Sequence, residues 1–445
     1  MQDMLVQADK LAFTAMRTRN GLRSNKCFFV YNWPEFANPL LQYSGLLETG
    51  TAGATKSLLL EDHHGNPFPS YLLKQCEEYI RRTPHRGSGD ILPGEIPTYN
   101  TDMNSLFIHL YERFTTSSRR TFNAEEANAY LIPYDIAGDT AFGDDVRNLP
   151  GCAMARDLQE RLESSPAFNQ TGGADHYIIV SSLLSQFITR AACVHYLEHF
   201  CRKCSVITIE DALGDTQWNI RNSLFYQQYT EMSRTGRIVV VPYPSAYHFP
   251  PEWVAPHWVT DSTRINRRTT TVIFIGNVLT SVRYRSVLQT ICAIHHPQCR
   301  WVDTARQGFK SNMTQLYHES VFCFIPRGHT YSRKALIDSL MAGCIPVVFH
   351  VETLHTLYPL FIDIPTALAM SVYFPHYKLD EAEGSPFNCS LINYLIDIRD
   401  GDEVYLKRHV ISSVLKRLQY SLPVVENRPA DSPDAFDVLV DYMVA

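Results

Sequence analysis

Residues 323–349 read CFIPRGHTYSRKALIDSLMAGCIPVVF. The run from Val321 to Ile325 is short and wholly apolar, the pattern of a strand buried on both faces of a parallel sheet. Pro326 and Gly328 end it. Ser332 is placed to cap a helix, and Leu336, Ile337, Leu340 and Met341 then recur at helical spacing, giving one apolar face. Gly343 closes that helix, and Ile345 to Phe349 begins another strand. A strand–loop–helix unit leaves backbone N–H groups unpaired at the helix start, where the helix dipole adds partial positive charge, so the place suits an anion. Arg327 and Arg333 flank it with forked donors that match phosphate oxygens. Asp338 lies roughly 9 Å further along the helix axis, at a distance that suits a ribose hydroxyl when a diphosphate rests on the helix start. The bland alternative is an ordinary αβ unit with arginines on its surface.

Outward on the N-terminal side, Thr271 to Ile275 reads as a strand, Gly276-Asn277 as a turn, and a basic helix start follows in which Arg283 or Arg285 is able to reach a diphosphate. Proline is dense from Pro242 to Pro256 and a polar run follows from Thr260, so a domain boundary is placed near residue 250. Before it lie further αβ alternations, with predicted strands at Cys27–Tyr31, Ala129–Ile132, Tyr177–Val180, Val206–Ile209 and Ile238–Val241. Asn123 is suited to cap one helical turn whose dipole Glu125 and Glu126 complement. Asp135 falls just past a strand end, the side on which open α/β sheets bind ligands. His176 adjoins Asp175, and an imidazole beside a carboxylate is a suitable proton acceptor near neutral pH. Neighbouring strand residues point to opposite faces, however, so the two need not form a dyad. Residues 40–70 read as loop.

The 445 residues are enough for two domains with proper cores, and 45% hydrophobic with 19% charged residues describes a globular chain. A formal net charge of −6 without a basic block argues against a nucleic-acid partner. The eleven cysteines are scattered and odd in number, which fits no small disulfide scaffold, and Cys201-Arg-Lys-Cys204 lacks the second pair that a zinc site needs. No GxGxxG turn marks a nicotinamide enzyme. Asp400-Gly401-Asp402 is a D-x-D in a turn opening a helix, not at the end of an apolar strand, so no essential metal is expected. No apolar run reaches membrane-spanning length, and the first residues carry neither signal peptide nor anchor. Sequons at Asn169, Asn312 and Asn388 are close to chance for this length.

Residues 323–349 resemble the signature of the exostosin family, the glycosyltransferases of family 47, in the Pro-Arg-Gly loop, the Ser-Arg pair, the acidic residue and the Ala-Gly-Cys-Ile-Pro-Val run, all in order. Further elements resemble that family. They are Tyr31-Asn32-Trp33-Pro34-Glu35-Phe36, with Asn32 in place of its acidic residue, then RTFNAEEANAYLIPYD from Arg120, Gly172-Gly173-Ala174-Asp175-His176, Pro242-Tyr243-Pro244 with His248, and Asp434-Ala435-Phe436-Asp437. Similarity to the family implies an α/β GT-B architecture, two Rossmann-like doubly wound domains facing a cleft. The expected division is 1–250, acceptor side, and 251–445, nucleotide-sugar side, with a C-terminal helix packing back on the first domain.

The resemblance further implies an inverting glycosyltransferase that moves a sugar from a nucleotide sugar, a uridine diphosphate sugar, to a glycan or glycoprotein acceptor. The donor would be held by Arg327, Gly328, Ser332, Arg333, Asp338 and Arg283. Asp135, His176 and Glu35, in that order, are the candidates for the base that relieves the acceptor of its proton. The donor aside, no cofactor is expected. Family members are lumenal Golgi proteins with an N-terminal anchor, so either the start is truncated or this version is soluble; the oligomeric state is left open. The rival reading keeps the fold in a catalytically silent lumenal scaffold or glycan-binding protein. A hydrolase is third, since no paired-carboxylate spacing stands out.

Overall fold

The structure is a computed structural model that describes residues 26–33, 91–92, 98–136, 155–181, 202–210, 231–249 except 233, 257–261, 267–278, 284–304, 313–355 except 329 and 332, 357–380, 389–421 and 433–445. Its strands in chain order are β1 (Phe28–Val30), β2 (Ile91–Leu92), β3 (Thr98–Tyr99), β4 (Arg120–Thr121), β5 (Ala129–Ile132), β6 (His176–Val180), β7 (Ser205–Thr208), β8 (Ile238–Val240), β9 (Thr270–Ile275), β10 (Cys299–Val302), β11 (Ser320–Ile325), β12 (Ile345–Val348) and β13 (Val372–Tyr373). The helices that matter below are α1 (Leu106–Thr116), α2 (Ala155–Glu163), α3 (Pro166–Thr171), α4 (Tyr284–Ile294), α5 (Met313–His318), α6 (Lys334–Met341), α7 (Ile364–Ala369), α8 (Cys389–Ile398), α9 (Asp402–Val414) and α10 (Ala435–Met443).

Contacts divide the described chain into two units. One holds Ile91–Met103 and Val240–Tyr442; the other holds the described residues from Lys26 to Trp33, Asn104–Val239 and Met443–Ala445. The first, called the C-terminal unit, is built on a five-stranded sheet ordered β10-β9-β11-β12-β13. Every pairing in it is parallel. By position in the unit that order is 2-1-3-4-5, the flavodoxin-like doubly wound arrangement, whose strand order reverses between the first and third strands. Here the reversal lies between β9 and β11. β9 is β-branched or aromatic at every residue and β11 at all but Ser320 and Cys323, and both are buried throughout, which is why Val272–Ile275 and Val321–Ile325 read as unbroken apolar runs. The second, N-terminal unit has a six-stranded sheet ordered β4-β1-β5-β6-β7-β8, reversing between β1 and β5. Both units of the expected α/β architecture are therefore doubly wound.

The elements form for local reasons that tertiary burial then enforces. At eight residues α6 is too short to be stable alone. Its Leu336, Ile337, Leu340 and Met341 are fully buried, each contributing about 1.5–3 kcal/mol against exposure, so packing holds the helix. Gly343 ends it at φ +69°, and a Cβ there would meet the Arg268 guanidinium at 3.1 Å and the Val259 backbone at 3.2 Å. The predicted cap is displaced: α6 starts at Lys334 with Arg333 in the cap position and no side-chain cap bond, while Ser332 lies outside the described residues. Asn123 does cap its single turn, accepting from the Glu125 N–H at 3.1 Å. Disulfides join Cys323 to Cys344, linking β11 to the start of β12, and Cys292 to Cys299, linking α4 to β10. Among the described residues no helix is long and apolar enough to cross a membrane.

Candidate active site

In the C-terminal unit the carboxyl ends of β9 and β11, at the reversal of strand order, gather positive charge. Gly276 follows β9, and a Cβ on it would meet Arg285 Nη2 at 3.1 Å and the Phe274 ring at 3.2 Å, so glycine leaves room for the guanidinium to lie against the backbone. Arg285, in the first turn of α4, is only 4% exposed and stands 5.7 Å from the Phe274 ring centroid. Its buried Nε has no hydrogen-bond partner among the described residues. Burial, and then the charge of Arg333, push its pKa down to about 9. Arg333 donates from Nη1 to the Pro326 carbonyl at 2.8 Å, and its pKa is also lowered by burial.

Arg327 directly follows Pro326. Its backbone N–H donates to the Tyr284 hydroxyl at 2.9 Å, and its guanidinium lies 5.8 Å from the Tyr331 ring. Burial raises the Tyr284 pKa to about 12, so the phenol stays neutral. The charge of Arg333 acts on Arg285, and the Tyr284 hydroxyl lies near enough to act on both. Arg327, Arg285 and Arg333 all act on the one Tyr284 hydroxyl, so positive charge is concentrated at this place, which suits an anion.

A family model described as the Exostosin GT47 domain matches residues 63–377. The chain belongs to the exostosin GT47 family. Its relatives include a xyloglucan galactosyltransferase, XLT2, of Arabidopsis thaliana, 24% identical over 77% of this chain and 62% of that one. Two probable xyloglucan galactosyltransferases of the same plant are similar: GT12, at 22% over 78% of this chain and 64% of its own length, and GT13, at 24% over 84% and 80%. The chain thus spans about three-fifths of XLT2 and GT12. Among solved structures, the pneumococcal O-GlcNAc transferase GtfA in complex with UDP and GlcNAc is similar over 57% of this chain and 58% of its own, at 8% identity and a TM-score of 0.28.

The exostosin signature residues divide into those that line this charged end and those that build the scaffold beneath it. Asp338, expected to hold a ribose, has both oxygens engaged within the unit. Oδ1 accepts from the Ala246 N–H at 2.8 Å, and Oδ2 pairs with Lys334 Nζ at 2.7 Å. It ties α6 to the Pro242–His248 segment, whose His248 is itself buried as a neutral ring. There Nδ1–H donates to the Tyr420 carbonyl at 2.8 Å, so Nε2 accepts from the Thr101 hydroxyl at 3.0 Å. The Gly328 N–H donates to the Thr330 carbonyl at 2.9 Å, within its own turn. Arg283 lies outside the described residues, and Arg285, two positions on, is the arginine the helix turns inward.

In the N-terminal unit of this exostosin chain, Asp135 is buried three residues past the end of β5, at that sheet's own reversal. Glu35 lies outside the described residues. His176 has no exposed surface. Its Nδ1 bonds Asp175 Oδ1 at 2.7 Å, Nε2 bonds the Tyr31 hydroxyl at 2.8 Å, and that hydroxyl bonds Ser165 Oγ at 2.9 Å. The ring stacks on Tyr130 at 4.7 Å. Asp175 and His176 thus do pair, although strand alternation alone did not require it. A base must reach the proton it removes, and His176, enclosed with both nitrogens bonded, is placed as a post of the core. Two groups that sequence reasoning left without a role, His350 and His376, also stand at the C-terminal unit's ligand end. The available signal was that His350 directly follows a parallel strand.

Proposed function

We propose that this exostosin-family chain is an inverting glycosyltransferase that takes a sugar from a uridine diphosphate sugar and places it on a glycan or glycoprotein hydroxyl. The observation that carries this reading is the group Arg285, Arg327 and Arg333 at the β9–β11 reversal, all three acting on the Tyr284 hydroxyl. A nucleoside diphosphate suits it: the guanidinium forks match phosphate oxygens, and their fixed charge favours the diphosphate as it gains negative charge on leaving the anomeric carbon. The acceptor hydroxyl attacks from the opposite face, giving inversion, while a base takes its proton. Asp135 is the described candidate for that base, by its place beyond β5. Because guanidiniums supply the positive charge, the reading includes no essential metal. The names of the relatives favour galactose as the sugar and a polysaccharide as the acceptor.

Disulfides in the C-terminal unit suit an oxidising lumen, and the Golgi is the compartment this reading implies. Calorimetric titration of the purified chain with UDP, with and without a divalent ion, tests the donor site. Micromolar binding that a chelator leaves unchanged is expected. No binding at millimolar UDP would reduce the chain to a silent scaffold.

A further inference from the structure

Beside the guanidiniums, four rings from separate stretches of the C-terminal unit meet. They are Tyr284 at the start of α4, Tyr331 in the loop after β11, His350 just past β12 and His376 past β13. His350 and His376 stack with centroids 4.1 Å apart and planes 18° from parallel. Tyr331 lies 5.1 Å from His350, and Tyr284 lies 5.8 Å from it. The same Tyr331 ring carries the Arg327 guanidinium, so the imidazole pair adjoins the place assigned to the diphosphate.

In the other buried histidines of this unit, His248 and His355, Nε2 is engaged. His248 uses both, and His355 Nε2 bonds Ser371 Oγ at 3.0 Å. His350 is different: it is 8% exposed, and its buried Nε2 has no hydrogen-bond partner among the described residues. An unmet polar atom next to a site for a charged ligand is a group held ready for that ligand. The ligand group it meets is uncharged. Burial first, then His376 and Arg327, lower the His350 pKa to about 3, so the ring is neutral at working pH and phosphate charge falls to the arginines. A hydroxyl fits such a nitrogen in either tautomer, since it both donates and accepts.

We propose that His350 is a donor-recognition residue whose Nε2 hydrogen-bonds a hydroxyl of the nucleotide sugar adjoining the diphosphate, with His376 stacked behind it to fix the ring plane. The inference rests on the donor-site reading above. The hydroxyl belongs either to the ribose or to the transferred sugar, and the test separates them.

The wild-type chain, His350→Phe and His350→Gln are titrated with inorganic pyrophosphate, UDP and UDP-galactose, with thermal midpoints measured alongside. His350→Phe keeps an aromatic ring without the nitrogen, whereas His350→Gln returns a polar group near its position. The expected result is a roughly tenfold loss of UDP-galactose affinity in His350→Phe, pyrophosphate affinity within about twofold of wild type, and substantial recovery in His350→Gln. An equal loss for UDP assigns the contact to the ribose; retained UDP affinity assigns it to the sugar. Unchanged UDP-galactose affinity in His350→Phe overturns the inference, as does an equal loss for pyrophosphate. Should His350→Phe not fold, histidine 15N spectra of the wild type decide: the Nε2 resonance missing from His350→Gln must move on adding UDP-galactose and stay put with pyrophosphate. Failure of the wild type to bind UDP at all removes the donor reading itself, an outcome distinct from wild-type binding that His350 variants leave intact.

Discussion

Gly276 and Arg285 act as a pair, the absent Cβ of one making room for the charge of the other. Arg285→Ala is expected to weaken UDP binding by tenfold or more in calorimetric titration, while the thermal midpoint holds or rises, because a charge disfavoured by burial and by the neighbouring Arg333 is removed. Gly276→Ala pushes against the Arg285 guanidinium and the buried Phe274 ring, so it should lower UDP affinity by moving the guanidinium and carry a modest stability cost from the ring. Asp338 makes the opposite prediction. A ribose contact would appear as weaker UDP binding at an unchanged midpoint. The bonds to Ala246 and Lys334 instead predict that Asp338→Ala lowers stability by roughly 1–3 kcal/mol in denaturant titration, with the smaller effect on affinity. Arg285 was legible only as one of two candidates, because the choice between it and Arg283 depends on the phase in which α4 starts.

At the scale of elements, the Gly-Gly-x-Asp-His turn shows how a motif can carry architecture. Gly173 sits at φ +87°, and a Cβ there would meet the Phe168 ring at 2.8 Å and Cys204 Sγ at 3.1 Å. Gly173→Ala is therefore expected to destabilise the N-terminal unit by about 1–3 kcal/mol from backbone strain, with a further cost from the clash, read as a lower urea midpoint. The turn sets His176 at the head of β6, where it joins Asp175 to Tyr31; Tyr31 in turn stacks on Trp33 at 4.2 Å. Strands such as β9 and β11 were legible because burial on both faces leaves an unbroken apolar run. The start of α6 was not, since the favoured cap residue lies one position before the arginine that holds the cap.

For the whole chain, acid is the informative variable. Burial lowers the pKa of His248 and of His355 to about 4 and of His350 to about 3, against an ordinary value of 6.5. With the folded value depressed, the unfolded chain takes up the proton first as pH falls. Each contribution is then complete above about 6.5 and is lost as pH drops through the folded values near 4 and 3, at about 1.4 kcal/mol per unit of pKa difference. All three belong to the C-terminal unit. Its midpoint should therefore fall steeply between pH 6.5 and about 4, and His248→Gln should flatten that slope in a calorimetric pH series. An unaltered slope would mean that other groups set the acid limit.

The sequence alone determined that the chain forms αβ units of the doubly wound kind, that an arginine-bearing loop precedes a short apolar-faced helix, and that the motifs are those of exostosins. Local causes suffice for these, namely apolar runs, turn residues and helical spacing between near neighbours. Which functional groups are already engaged was decided by tertiary structure. Asp338 meets a backbone N–H 92 positions away, and His176 meets a hydroxyl 145 positions away. The convergence of Tyr284, Tyr331, His350 and His376 joins the starts or ends of four different elements. No periodicity records such pairings, because burial and hydrogen-bond partners are properties of the packed chain and are set only when distant segments come together.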